Sequence, residues 1–167
     1  MDTRVLTKQD ILTGNYPGFM AKKIAPDRIR AFTSEDVRND RNEFQQDELG
    51  THFFDLEGRR HQVEMGKCLV IGTSPDDRRA TTLEKVERYR YPISLPDGEG
   101  FRLYRLREPR LLTCYDIPHA FDLDNQNGAA RWQCRHPTGG YVVWDGDKAH
   151  SLRVIQREIF DQTYERV

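Results

Sequence analysis

Residues 137–167, PTGGYVVWDGDKAHSLRVIQREIFDQTYERV, decide the fold class. Tyr141-Val142-Val143-Trp144 is a β-branched and aromatic run, Asp145-Gly146 is a two-residue hairpin signal, and Leu152, Val154 and Ile155 supply a return strand within residues 149–156. A short helical pattern follows, with Phe160 and Tyr164 at i, i+4 spacing on its core side. Two strands, a tight turn and a helix in succession make a folding unit, and nothing in them demands chemistry.

Outward from that unit the same alternation recurs. Thr7-Lys8-Gln9-Asp10 before Ile11-Leu12 reads as a capping box opening a short helix. Residues 19–24 and 28–32 read as extended, and 34–50 as a long polar loop with one exposed helical turn. Residues 52–56 and 61–65 read as paired strands, and Cys68-Leu69-Val70-Ile71 as a buried strand bounded by glycines. Residues 82–91 read as a short helix leading into Tyr89-Arg90-Tyr91-Pro92. Residues 95–100, with Pro96, Asp97 and two glycines, read as a subdomain junction. Strands follow at 101–106, 111–117 and 131–135, with a polar loop at 122–128.

The expected fold is α+β: a single, compact, β-dominated domain over residues 1–167, built of short antiparallel strands with a few short helices. An internal repeat is also legible. Gly66-Lys67-Cys68-Leu69-Val70 echoes Gly139-Gly140-Tyr141-Val142-Val143, Phe54-Asp55-Leu56 echoes Phe121-Asp122-Leu123, and Val86 and Tyr91 fall where Ile159 and Tyr164 fall. Residues 15–94 and 101–167 then read as two related βββα units about a pseudo-twofold axis. Chance similarity between two β-rich segments is the alternative, because the upstream triplets require different gaps.

With 37% hydrophobic and 32% charged residues the chain calls for a thin core, yet eight Phe, seven Tyr and two Trp provide enough apolar surface to fold. A net charge of −1 supplies no global field toward nucleic acid or anionic membrane. The start Met1-Asp2-Thr3-Arg4 lacks an apolar stretch, and no apolar run approaches the roughly 20 residues of a membrane span, so a cytoplasmic protein without membrane contact is expected. Three widely spaced cysteines fit reduced thiols.

Four groups of residues can carry function. Cys114, His119, Cys134 and His136 are zinc-ligand types, but Cys-x4-His with Cys-x-His is not a common finger spacing, and no metal or other cofactor is expected. His150 with Asp145 or Asp147 contains the parts of a general base, although both acids are equally turn residues; no catalytic residue is assigned. Arg102 and Tyr104 share one face of a strand, a small surface for stacking and phosphate contacts. Interspersed acids keep nucleic acid a disfavoured partner. Trp132 and Trp144 are either partner anchors or core residues.

The sequences Gly139-Gly140-Tyr141-Val142-Val143 and Ile159-Phe160-Asp161-Gln162-Thr163-Tyr164-Glu165, with Gly18-Phe19-Met20-Ala21-Lys22-Lys23 near the start, resemble small phage and prophage proteins of the Pro-Gly-Asp-Tyr-Gly (PGDYG) type. Gly140 stands where that family usually has Asp, and the following turn lacks its Gly-Glu pair. The family's activity is largely unassigned, so the resemblance implies a mobile-element context more than a reaction. The expectation is therefore a non-catalytic interaction or small-ligand-binding protein that acts on a host or phage protein. The alternative is a small hydrolase acting on a nucleotide-like polar substrate.

Overall fold

The computed structural model describes residues 3–124, 132–144 and 152–167. Among these residues sixteen strands stand against four short helices, so the fold is strand-dominated α+β. The chain opens with β1 (Arg4–Thr7), α1 (Lys8–Leu12), β2 (Gly18–Lys23), β3 (Asp27–Ala31) and α2 (Ser34–Arg38). It continues through β4 (Gln45–Asp47), β5 (Gly50–Phe54), β6 (Arg60–Gln62), β7 (Lys67–Ile71), β8 (Arg78–Thr82), α3 (Leu83–Tyr89) and β9 (Arg90–Pro92). The remainder is β10 (Arg102–Leu106), β11 (Leu111–Ile117), β12 (Phe121–Asp124), β13 (Trp132–Cys134), β14 (Gly140–Trp144), β15 (Leu152–Gln156), α4 (Arg157–Thr163) and β16 (Tyr164–Arg166).

The single domain expected from length resolves into two compact units. A flanking unit takes Met1–Ile24, Leu56–Arg59 and Pro109–Val167, and a central unit takes Ala25–Asp55 and Arg60–Glu108. In the flanking unit a five-stranded sheet runs β15-β14-β11-β2-β16, and a smaller sheet runs β1-β12-β13 with β1 parallel to β12. One apolar cluster gathers Ile11, Ile117, Phe121, Leu123, Val142 and Val154 from both sheets and α1. On the opposite face of the larger sheet Ala21, Leu112, Cys114, Tyr141, Val143 and Ile155 pack with Phe160 of α4. The unbroken apolar run at residues 141–144 is thus the signature of a strand buried on both faces.

The central unit repeats this plan. Its larger sheet runs β8-β7-β3-β10-β9 and its smaller one β4-β5-β6. Phe32, Phe44, Phe53, Val63, Leu69 and Phe101 form one cluster, while Ile29, Cys68 and Val70 pack with Val86 of α3 on the other face. The expected polar loop at 34–50 contains α2 and β4. Thr33 and Asp36 make a capping box, and Asp36, itself buried, takes a two-pronged hydrogen bond from Arg30. Burial alone would raise the Asp36 carboxyl, but Arg30 and Thr33 hold it below its usual range.

The two larger sheets correspond strand for strand and residue for residue. Arg28, Ile29, Arg30 and Ala31 of β3 face Ile71, Val70, Leu69 and Cys68 of β7, as Thr113, Cys114, Tyr115 and Asp116 of β11 face Trp144, Val143, Val142 and Tyr141 of β14. Arg102, Leu103 and Tyr104 of β10 face Ile29, Arg28 and Asp27, as Phe19, Met20 and Ala21 of β2 face Cys114, Thr113 and Leu112. Flanking bonds match as well. Ile93 and Arg107 N–H donate to Leu103 and Tyr89 carbonyls, and Val167 and Ile24 N–H donate to Met20 and Thr163 carbonyls.

In chain order, β2 through β9 are therefore matched by β10 through β16, with one crossing. The first strand of each series completes the sheet of the other: β2 pairs with β11 and β16, and β10 with β3 and β9. The halves are consequently not βββα units, because each larger sheet holds five strands and borrows one of them. The register also corrects three sequence matches. Val86 corresponds to Phe160 and Arg90 to Tyr164, one residue from the sequence alignment. In β5 the buried core residue is Phe53, with Phe54 exposed, so the Phe54-Asp55-Leu56 echo is not structural. Residues 95–100 join β9 to β10 inside the central unit and are not a junction between units. The Asp145-Gly146 turn lies outside the described residues.

Gly66 and Gly139 occupy matched positions before β7 and β14 with φ of 85° and 76°. A Cβ at Gly66 meets open space, whereas one at Gly139 overlaps the Ile117 carbonyl oxygen and crowds the His119 backbone. Gly66→Ala should cost about 1–2 kcal/mol, the left-handed penalty alone, and Gly139→Ala at least twice the Gly66 loss, as urea unfolding will show. Because the Asp36 carboxyl is depressed on folding, its contribution is fully present above about pH 4 and disappears as pH falls through the lower folded value. Asp36→Asn should flatten that part of the acid-unfolding profile.

Candidate functional site

Burying charge requires a partner, and the central unit buries a carboxylate in its larger sheet. Asp27, 2% exposed, begins β3. Its Oδ2 accepts from Arg90 Nε at 3.1 Å and lies 3.4 Å from an Arg79 terminal nitrogen. Arg90 comes from the turn of α3 into β9 and Arg79 from β8, so three segments meet on one oxygen. Tyr104 lies directly across from Asp27 in β10 and packs against the Ile29, Cys68, Val70 and Val86 cluster. Both guanidinium groups thus reach one carboxylate oxygen, and the Arg79 side chain is 36% exposed, so the arginine end of this arrangement lies at the surface.

The flanking unit supplies an internal comparison. At the position of Asp27 it has Leu112, at Arg90 it has Tyr164, and at Tyr104 it has Ala21, while Arg153 matches Arg79. There the face is filled by Phe19, Tyr141, Phe160 and Tyr164, with edge-on and stacked ring contacts. The same sheet is thus completed in one unit with an apolar aromatic face and in the other with a buried charge cluster. Buried ion clusters contribute little net stability relative to well-packed apolar groups, although removing one partner alone is costly.

The residues singled out by sequence fall in several places. Arg102 and Tyr104 share a face, two residues apart, as strand alternation requires, and Arg102 Nε donates to the Ser94 carbonyl at 3.0 Å. Trp132 and Trp144 both pack against the flanking apolar cluster, and the Arg59 guanidinium sits 4.9 Å from the Trp132 ring centre. The Trp144 indole N–H has no hydrogen-bond partner among the described residues. Asp145, Asp147 and His150 lie outside the described residues.

The four zinc-ligand types are not brought together. Cys114 belongs to the cluster under α4, while Cys134 belongs to the cluster on the other face of the sheet. His119 is held between Tyr16 Oη at 3.1 Å and the Ala120 carbonyl at 2.9 Å, and the His136 ring is engaged by Thr138. Among the described residues no group of three or more ligand-type side chains could hold a metal ion. Burial pushes the Cys114 thiol to about 11 and raises Cys68 and Cys134, so none is an activated nucleophile.

A carboxylate–imidazole pair that sequence reading missed occurs at Asp55 and His61, 2.8 Å apart. His61 Nδ1 accepts from the Ala80 N–H, and the ring stacks on Phe53. Both ring nitrogens are occupied, which fixes the imidazole between strands and leaves no free lone pair for proton abstraction. Asp27 and Arg90 were also missed, because their relation exists only across strands, and in the charged run Asp27-Arg28-Ile29-Arg30 nothing local marks Asp27 as buried. Comparison with family models, curated proteins and solved structures finds no match for this chain.

The internal comparison generates a sharp test. Asp27→Ala leaves Arg90 facing a dry pocket without its partner and should lower stability by about 3 kcal/mol. The double change Asp27→Leu with Arg90→Tyr installs the residues of the flanking unit and should retain or exceed the wild-type melting temperature, measured by calorimetry.

Proposed function

We propose that this is a non-catalytic binding protein whose ligand site is the face around Asp27, Arg79 and Arg90, and that its ligand is a small anion bearing a phosphate or carboxylate group. The observation that carries this reading is the buried charge cluster standing where the matched sheet of the same chain has Leu112 and Tyr164. Asp27 holds Arg90 and Arg79 side by side, and paired guanidinium groups are the side chains best suited to forked contacts with such anions. The role of Asp27 is to orient them; the anion is held by guanidinium N–H groups directed at its oxygens.

A binding reading also agrees with the state of the described histidines and thiols, none of which is presented as a free base or activated nucleophile beside this face. The resemblance to phage and prophage proteins supports a mobile-element setting, in which a small bound anion modulates the interaction with a host protein. At position 140, where those proteins usually carry Asp, a side chain would press on the Ile155 carbonyl and the Cys134 sulfur. Glycine there is the local adaptation of this chain to its tightly packed β14.

Thermal shift with inorganic phosphate, a nucleoside monophosphate and citrate, at constant ionic strength, tests the reading. One of these should raise the melting temperature in a saturable manner, by a free energy approaching 2.7 kcal/mol at about a hundred times its dissociation constant. The shift should vanish in Arg79→Ala and in the Asp27→Leu, Arg90→Tyr double variant. A panel that stabilises wild type and double variant equally would remove the face from consideration.

A further inference from the structure

We infer that the chain is a fused pair of strand-exchanging halves, so that its two series of elements, joined at residues 94–100, form an interface between what are physically separable polypeptides. Four observations converge on this assignment. The strand orders β8-β7-β3-β10-β9 and β15-β14-β11-β2-β16 are the same series. The residue registers agree at each of the four strand junctions of these sheets. The helix of each series, α3 and α4, falls between the same two strands and places Val86 or Phe160 on the same face. The first strand of each series, β10 or β2, is inserted between the second and last strands of the other.

Reciprocal exchange of an equivalent element is the mark of two protomers that swap it. Here the swap is internal, because the two protomers share one chain. The elements ahead of the first series, β1 and α1, have no counterpart at the joint: β1 adds in parallel to β12, whereas β4 adds antiparallel to β5. They are an addition to the flanking unit and not part of the repeated plan.

The joint itself is built as a closed turn that needs no further chain. Asp97 N–H donates to the Phe101 carbonyl, Gly100 N–H to the Asp97 carbonyl, and the Asp97 carboxylate accepts from Glu99 and Phe101 N–H. Gly98 sits at its tip with open space around its Cβ position. Cutting there divides the protein into one fragment ending in β9 and one beginning with β10. Each fragment then lacks the strand that completes its own main sheet and carries the one that completes the other.

The test uses the full chain with a protease recognition sequence inserted at Gly98. After complete cleavage the two fragments should migrate as one species of undiminished mass in native size-exclusion chromatography, with the far-ultraviolet spectrum of the uncut protein. Separated in denaturant and remixed, they should return to that species at one-to-one stoichiometry. A second measurement reads the exchange directly. Met20→Cys with Thr113→Cys should form a disulfide under mild oxidation, since antiparallel neighbours lie within bridging distance. Met20→Cys with Arg28→Cys, the pair an unexchanged arrangement would juxtapose, should not. Cleaved fragments that separate under native conditions, that fail to recombine, or that cross-link through 20 and 28 overturn the inference.

Discussion

The placement of β2 and β10 is the constraint on which the rest depends. Each lies inside a five-stranded sheet and supplies hydrogen bonds to two neighbours, β11 and β16 for β2, β3 and β9 for β10. Neither is a neighbour in sequence of all its partners: Met20 of β2 meets Thr113 across more than half the chain. Pairing at such separation must overcome loop-closure entropy before it yields any burial. Neither larger sheet is complete until the first strand of the other series has arrived.

The outer strands show how the same plan protects itself. Within β9 the residues whose backbone points away from β10 are Arg90 and Pro92. The Arg90 N–H is taken by the Val86 carbonyl at the end of α3, and Pro92 has no N–H to offer. Its twin β16 begins alike, with the Tyr164 N–H bound to the Phe160 carbonyl at the end of α4. A helix ending directly in an edge strand thus removes donors that would otherwise recruit another chain. This local solution is repeated even where the side chains have diverged, which indicates that backbone geometry was retained while the faces changed.

What the sequence disclosed follows from the range of the interactions. The Thr7–Asp10 capping box and the buried runs at 68–71 and 141–144 depend on neighbours within a few residues and were readable; residues 82–91 fitted a strand face as well as the favoured helix or turn, and the Thr33–Asp36 box went unread inside a polar run. The likeness of the glycine-led strands was readable too, because Gly66 and Gly139 each meet a local positive-φ requirement. Strand exchange was not, since nothing in Phe19-Met20-Ala21 says whether it pairs with residues 27–29 or 112–114. The one-residue error in matching Val86 arose because gaps before the helix cannot be placed from a pattern of two or three apolar letters. Of the site, the shared face of Arg102 and Tyr104 was a matter of strand period; Asp27 with Arg90 required the register.

Volume and charge separate cleanly in the comparison of the two α-covered faces. Where the flanking unit places Phe160 on its helix and Ala21 on the strand beneath, the central unit places Val86 on its helix and Tyr104 on the strand. The large ring has moved from the helix layer to the strand layer, so each face keeps one bulky group between helix and sheet. Tyr104 is thereby explained as the partner of Val86. No such exchange explains Asp27: Leu112 is of comparable size, carries no desolvation cost, and needs no partners, yet the central unit has a carboxylate there and an arginine at position 90 to meet it. A carboxylate that packing does not require, met by one arginine from the α3–β9 turn and a second from β8, is the chief side-chain difference between the two matched faces.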